Sequence, residues 1–256
     1  MLFDSHAHYD DPKFDADRNS VIERAREAGV SYILNASSNM SSAVETVSIA
    51  QEFDFIYAAV GIHPHNVHEI NENILNAIQD FASHNKVVAI GEIGLDYYYD
   101  TSPRDLQKYW FARQLSLAGE LGLPVIIHDR EAHEDTMDII KSENSKETGG
   151  VFHCYSGSVE MARDVLDNNF YISIGGAVTF KNARKAIEVV NYVPMDRLLI
   201  ETDCPYMTPE PYRGKRNDSG YVGLVAQKIA DIKGLTYEQV AYATTENAKR
   251  LFNINA

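Results

Sequence analysis

The chain alternates short apolar runs with longer amphipathic segments along its whole length. The apolar runs are rich in Val, Ile and Leu, and LPVII at 123–127 is typical of them. Near-continuous apolar runs predict strands that are buried on both faces. The segments between them carry apolar residues at helical spacing, such as Val21, Ile22 and Ala25. The pattern therefore predicts strands and helices in alternation.

Eight such strand–helix units follow one another. The predicted strands cover 2–6, 30–37, 54–63, 86–94, 123–128, 149–155, 170–176 and 197–205. Alternating units of this kind imply a parallel sheet, and eight of them predict a closed (β/α)8 TIM barrel of the α/β class. The alternative is an open doubly wound sheet, which usually has a Gly-rich loop after its first strand. Here that turn reads SHAHYDD. No linker or fixed-period repeat is visible, so 1–256 is predicted to be one domain.

The composition and net charge limit the classes of protein to which this chain could belong. Apolar content of 45% and charged content of 23% are ordinary for a globular chain. The net charge of −14 argues against non-specific coating of polyanions, although metal ions can reverse the charge locally at a site. No apolar run approaches the roughly 20 residues of a membrane span, and no basic-then-apolar leader is present. We therefore expect a cytoplasmic protein that does not associate with membranes.

Residue types that bind metals recur where the predicted strands end. In a parallel barrel these carboxyl ends meet at one mouth, which is where function lies. A lone histidine at a strand end is more often structural than a metal ligand. Six candidate ligands at the ends of five strands favour a metal site instead. They are His6, His8, Glu92, His128, His153 and Asp203. Four imidazoles and two carboxylates suit Zn, Mn, Co, Ni or Fe, and Mg less well. Six ligands exceed what one catalytic ion normally takes, which predicts two divalent ions.

Seven motifs together resemble the TatD family of metal-dependent hydrolases, within the amidohydrolase-like barrels. The resemblance covers essentially the whole chain. It is carried by DSHAHYD (4–10), GIHPH (61–65), GEIGLDYYYD (91–100), IHDR (127–130), FHCYSG (152–157), ISIGG (172–176) and ETDCPY (201–206).

The resemblance implies a two-metal site and deoxyribonuclease or other phosphodiesterase activity. One ion is then expected to be held by His6, His8 and Asp203. The other is expected on His128 and His153, with Glu92 bridging the two ions. The native metal stays open among Mg, Mn and Zn.

Other residues near these motifs are candidates for the chemistry and for substrate contacts. Asp203 is suited to orient the attacking water and take its proton. In the turn GIHPH, either imidazole could donate to a phosphate or to the leaving oxygen. We expect a catalytic role for His63, whereas for His65 a substrate contact and a bond to backbone are equally plausible.

Three arginines are predicted to contact the phosphates of the substrate. Arg130 follows His128 at the mouth and is suited to clamp a phosphate, with a surface ion pair as the alternative. Arg213 and Arg216, with Lys215, form a basic cluster in the loop 205–220 beside Asp203. A solvated charge run is the alternative for this loop. Tyr97, Tyr98 and Tyr99 are more simply packing residues than a stacking surface for bases.

The expected function is a metal-dependent deoxyribonuclease that acts as an exonuclease on single-stranded DNA, in the 3′–5′ direction in its most specific form. DNA is then the partner, as substrate, and no obligate protein partner is evident. The alternative is an amidohydrolase-type esterase, lactonase or deacylase with a small or aminoacyl substrate. A catalytically inactive binding barrel is disfavoured because no ligand position is lost.

Overall fold

A computed structural model describes residues 1–143 and 145–254, and it shows a (β/α)8 TIM barrel. The eight parallel strands lie in the order β1 to β8. They are β1 (Leu2–Ala7), β2 (Val30–Ala36), β3 (Ile56–Val60), β4 (Val87–Asp96), β5 (Val125–Arg130), β6 (Gly150–Phe152), β7 (Phe170–Ile174) and β8 (Leu198–Ile200). The α-helices are α1 (Arg18–Glu27), α2 (Met40–Glu52), α3 (Glu72–Ala82), α4 (Arg104–Leu121), α5 (His133–Ser142), α6 (Val159–Asp167), α7 (Arg184–Tyr192), α8 (Val222–Lys233) and α9 (Tyr237–Leu251). The predicted fold class is confirmed.

The first and last strands meet and close the ring. Ala7 forms an isolated parallel bridge with Cys204. The backbone N–H of Asp203 donates to the carbonyl of His6 at 2.9 Å, and that of His8 donates to the carbonyl of Cys204 at 2.8 Å. This closure places two histidines from the start of the chain beside a carboxylate from near its end.

Most strand ends differ from the sequence prediction. The strands expected to end at 63, 155 and 176 end at Val60, Phe152 and Ile174, and β5 runs to Arg130 instead of 128. Two further differences bear directly on the site. The strand predicted over 197–205 ends at Ile200, and Asp203 has a positive φ of 55° that an extended strand does not allow. The strand predicted over 86–94 instead continues to Asp96 and pairs with β5 as far as Arg130. The extension brings Asp96 to the mouth of the barrel.

Apolar side chains from all eight strands fill the barrel interior. These residues are Phe3, Leu34, Ala36, Ala59, Ala89, Ile126, Val151, Tyr171 and Leu199. Phe252, just beyond α9, packs on Phe3 with ring centroids 6.1 Å apart and closes the amino end. A hydrophobic layer therefore separates this end from the polar residues at the opposite end, as in other parallel barrels.

Among residues 1–143 and 145–254, no helix combines the length and apolar character needed to cross a bilayer.

Candidate metal centre

Three of the predicted ligands form a cluster that we call the mixed group: His6, His8 and Asp203. The Nε2 atoms of the two histidines lie 3.0 Å apart. Asp203 Oδ1 lies 3.4 Å from His8 Nε2 and 3.9 Å from His6 Nε2. The Nδ1 atom of His8 donates to the carbonyl of Ala36 at 2.8 Å, which leaves Nε2 free to bind a cation.

Three further histidines form what we call the imidazole group: His63, His128 and His153. All three face one oxygen of Glu92. Its Oε1 atom lies 2.7 Å from His128 Nδ1, 2.8 Å from His153 Nε2 and 3.4 Å from His63 Nε2. The other oxygen, Oε2, lies 3.3 Å from His6 Nε2 and 3.5 Å from His8 Nε2. Glu92 therefore stands between the two groups with one oxygen towards each.

These spacings fit divalent ions. Two atoms that bind one ion at about 2.0–2.2 Å lie roughly 3–3.5 Å from each other. The donor atoms of His6, His8 and Asp203 all lie within 4.8 Å of one another, as do those of His63, Glu92 and His128. Two imidazole nitrogens with their lone pairs directed at one point repel unless a cation or a proton lies between them. The donor set thus suits a cation on each side of Glu92.

The electrostatics of the cluster also favour cations. Burial opposes ionisation of Glu92, but the charges on His153 and His63 and the hydrogen bonds from His128 and His153 hold its pKa well below the usual range. Burial opposes a charge on His8, yet the Asp203 and Glu92 carboxylates outweigh this and raise its pKa to about 10. A proton is therefore retained where a metal ion would bind, so protons and metal compete for the site.

Of the five imidazoles around Glu92, that of His63 is kept from ligation by its tautomer. His63 Nδ1 accepts the backbone N–H of His65 at 3.1 Å, which places the ring proton on Nε2, facing Glu92. Burial lowers the pKa of His63 to about 4. In this arrangement His63 donates to the carboxylate, and His128 and His153 are the imidazoles that could bind a cation on this side of Glu92.

Local irregularities in two strands turn ligands into the mouth. Ser5 points inwards, since its Oγ lies 3.1 Å from that of Ser173 on β7, two strands away in the ring. Strict alternation would then direct His6 outwards. A register shift between Asp4 and Ala7 accompanies its turn towards the site. A second shift lies between Ile90 and Ile93, around Glu92.

A carboxylate that sequence reasoning missed lies behind the imidazole group. Asp96 Oδ2 lies 2.8 Å from His65 Nε2 and 3.3 Å from His128 Nε2. Its Oδ1 accepts the backbone N–H groups of Tyr98 and Tyr99, each at 2.9 Å. Burial opposes its ionisation, but the hydrogen bonds from His128, Tyr99 and His65 lower its pKa. The available signal was an acid inside GEIGLDYYYD, two residues past the predicted strand end.

Glu201 is buried deeper in the barrel, under His153. Its Oε1 accepts the backbone N–H of Cys154 and lies 3.6 Å from His153 Nδ1. Carboxylates behind metal-ligating histidines fix the ring orientation and raise the basicity of the ligand nitrogen. Glu201 lies behind His153 as Asp96 lies behind His128, but its distance of 3.6 Å is longer than a hydrogen bond, whereas Asp96 is hydrogen-bonded to His128 at 3.3 Å.

A cavity of about 1010 Å³ opens over both groups. His65 and Arg130 line it, as expected for substrate contacts. The guanidinium carbon of Arg130 lies 4.3 Å from the ring centre of Tyr98 and 5.0 Å from that of Tyr99. Arg18 also lines the cavity and was not foreseen from the sequence.

The two arginines of the loop after β8 lie elsewhere. Arg216 donates to both carboxylate oxygens of Asp17, at 2.9 and 2.8 Å, and to the carbonyl of Lys13. The guanidinium of Arg213 lies 4.3 Å from the ring centre of Phe180. Neither side chain is among the described residues that line the cavity. That Arg213 and Arg216 contact phosphates therefore stays a prediction, and in this structure their side chains face Phe180 and Asp17.

Comparisons with known proteins agree over the whole chain. A family model described as TatD related DNase matches residues 3–253. A Bacillus subtilis (strain 168) protein named uncharacterized metal-dependent hydrolase YabD is 51% identical over 100% of both chains. A protein of Erwinia tasmaniensis, named 3′-5′ ssDNA/RNA exonuclease TatD, is 34% identical over 99% of this chain and 100% of its own. The crystal structure of YJJV, a TatD homologue from Escherichia coli K12, has a TM-score of 0.93 and 30% identity, and covers 99% of this chain and 98% of its own.

Proposed function

This chain belongs to the TatD family of metal-dependent hydrolases, and from that premise we infer that it is a deoxyribonuclease that trims single-stranded DNA from its 3′ end. The name of the Erwinia tasmaniensis relative supports this direction of cleavage. The structural observation that carries the proposal is Arg130 stacked on Tyr98 and Tyr99 beside the metal-binding groups. A cation on aromatic rings suits a substrate in which phosphates alternate with flat bases.

The residues of this chain divide the work of holding the ions. His6, His8 and Asp203 would hold one ion, His128 and His153 the other, and Glu92 would contact both. Divalent ions at such a site activate water and neutralise charge on the phosphodiester group.

Asp203 is the carboxylate best placed to accept a proton from the attacking water. Its side chain is 16% exposed, against 4% for Glu92, and it lines the cavity. Glu92 has both oxygens engaged by histidines, whereas Asp203 faces only the mixed group. A general base needs hydrogen-bond reach to the water as well as a free oxygen.

We propose that His65, and not His63, donates the proton to the leaving oxygen. The ring nitrogens of His63 face Glu92 and the backbone N–H of His65, inside the protein. The side chain of His65 is 31% exposed, lines the cavity and is oriented by Asp96. An imidazole held by a carboxylate is suited to carry a proton to a departing alkoxide.

The test uses metal-stripped protein restored with Mg, Mn or Zn. Linear single strands labelled at either end are compared with a closed single-stranded circle, and carboxylic esters and lactones are assayed in parallel. We expect a stepwise ladder from the 3′ end and an intact circle. Glu92→Gln protein, purified in the same way, controls for contaminating nucleases. Ester or lactone hydrolysis without DNA cleavage would instead support the small-molecule alternative, and rapid cutting of the circle would indicate an endonuclease.

A further inference from the structure

Two exposed aromatic rings border the cavity on opposite sides. Tyr99 follows β4 and Tyr206 follows β8. Both line the cavity, with exposed fractions of 57% and 45%. In a ring of eight strands β4 and β8 are four positions apart, so the two rings face each other across the mouth. A chain that crosses the metal-binding groups therefore passes one ring before them and one after.

The side with Tyr99 carries an arginine, and its carboxylate Asp96 is buried and held by His65 and His128. Arg130 lies over Tyr98 and Tyr99. Among residues 1–143 and 145–254, no carboxylate forms an ion pair with it, so its charge is available to a ligand. We call Tyr98, Tyr99 and Arg130 the basic rim.

The side with Tyr206 is acidic. The cavity is lined there by four carboxylates: Asp10, Asp11, Asp15 and Glu45. Arg18 is neutralised by Asp15 at 2.8 Å and by Glu45 at 2.5 Å. The Tyr206 hydroxyl donates to Asp11 at 2.6 Å, and Lys13 Nζ lies 4.0 Å from its ring centre. The four carboxylates on this side outnumber the two nearby cations, Arg18 and Lys13. We call Tyr206, Asp10 and Asp11 the acidic rim.

Given the proposed nuclease function, we propose that this asymmetry orients the strand and selects its terminus. The continuing strand, which carries a phosphate at every linkage, lies over the basic rim with a base stacked on Tyr99. The terminal nucleoside has no further phosphate and lies at the acidic rim with its base against Tyr206. A phosphate on the terminal hydroxyl is repelled by Asp10 and Asp11. The enzyme therefore removes one nucleotide at a time from hydroxyl ends.

The stacking part is tested by binding. Fluorescent single strands whose terminal linkages are phosphorothioates, with either normal bases or abasic sites in the last four positions, are titrated into the manganese-loaded protein. Stacking on one aromatic residue is worth about 5- to 100-fold in affinity. We expect Tyr99→Leu to weaken binding of the normal strand about tenfold and to leave the abasic strand unchanged. Tyr242→Leu, at an equally exposed tyrosine on α9, serves as the matched control. Equal losses on both strands would overturn the stacking role of Tyr99.

Repulsion of a terminal phosphate by the acidic rim is tested by measuring cleavage rates. Wild-type protein is expected to trim strands ending in a 3′-hydroxyl at least about tenfold faster than strands ending in a 3′-phosphate, which carry up to two extra charges. Asp11→Asn keeps an acceptor for the Lys13 N–H and should reduce that preference about threefold, the size expected for one exposed charge. Asp231→Asn on α8 removes the same charge far from the mouth and should not change the ratio.

The outcomes separate the two proposals. Trimming that ignores the terminal phosphate, or a preference unmoved by Asp11→Asn, would overturn the acidic-rim proposal while the nuclease function stands. A protein that neither binds nor cleaves any oligonucleotide would overturn both.

Discussion

The mixed group and the imidazole group hold their negative charge in different places. The mixed group contains its own carboxylate, Asp203, and its His8 is oriented by a neutral backbone carbonyl. The imidazole group contains only histidines and depends on carboxylates around it, namely Glu92 in front and Asp96 and Glu201 behind.

Because of this difference, we expect the two proposed ions to be held unequally at the mouth of the barrel. A carboxylate that contacts an ion contributes charge directly, and one that also faces the cavity can take part in proton transfer. A carboxylate behind a histidine acts through that ring, by orienting it and raising its basicity. We therefore expect changes in the mixed group to affect the chemical step and changes behind the imidazole group to affect metal affinity.

The largest effect is expected at Glu92, because this residue faces both the mixed group and the imidazole group. Glu92→Gln keeps the shape but removes the charge that faces both groups. Activity should fall by more than about 10³, because residues that act as a unit lose most of the catalysis together. Elemental analysis should show less than one ion per chain. Unchanged metal content would exclude Glu92 from the site.

Asp203→Asn should lower kcat by about 10²–10⁴, the range for loss of a general base. Metal held by the imidazole group should remain, since Asp203 does not contact it. The measurement is steady-state kinetics together with the visible spectrum of the cobalt-substituted protein. Added metal should not restore kcat, and a fully active variant would rule out Asp203 as the base.

Asp96→Asn should lower activity about 10- to 100-fold, the usual cost of removing a partner of a metal-ligating histidine. The apparent affinity for metal should fall, and excess metal should restore much of the lost activity. The two groups differ as proposed if added metal restores activity to Asp96→Asn but not to Asp203→Asn. If added metal restores neither variant, the two groups do not differ in this way.

Arg216→Ala should have the smallest effect. Its partner Asp17 is an exposed surface residue, and such pairs contribute little. KM for single-stranded DNA is expected to stay within about twofold of wild type. Arg130→Ala, on the imidazole-group side, should raise KM about tenfold, since a charged contact to phosphate is roughly twice as strong as a neutral one. A large rise in KM for Arg216→Ala would indicate that the loop after β8 does contact the substrate.

The sequence predicted the barrel and the clustering of six side chains at its mouth because both depend on local patterns, while metal binding by these side chains stays a prediction. Strand ends follow from apolar runs, and parallel strands bring their ends together. Asp96 was missed because β4 runs two residues beyond its apolar pattern. The partner of Arg216 was not predictable, since Asp17 is far away in the chain and ion pairs between distant segments leave no periodic signal. The turn of His6 into the mouth depends on a register shift that alternation alone does not indicate.

The closure of β1 on the segment after β8 makes the centre a late product of folding. The backbone N–H of Thr202 donates to Asp4 across 198 residues, and the hydroxyls of Thr202 and Ser219 donate to the same carboxylate. Contacts between such distant segments form slowly, because the loop entropy is lost before they can stabilise the chain. Since His6 and Asp203 meet only across this seam, the mixed group does not exist until the ring has closed. We therefore expect uptake of the proposed ion by the mixed group during refolding to coincide with the joining of the two ends of the sheet.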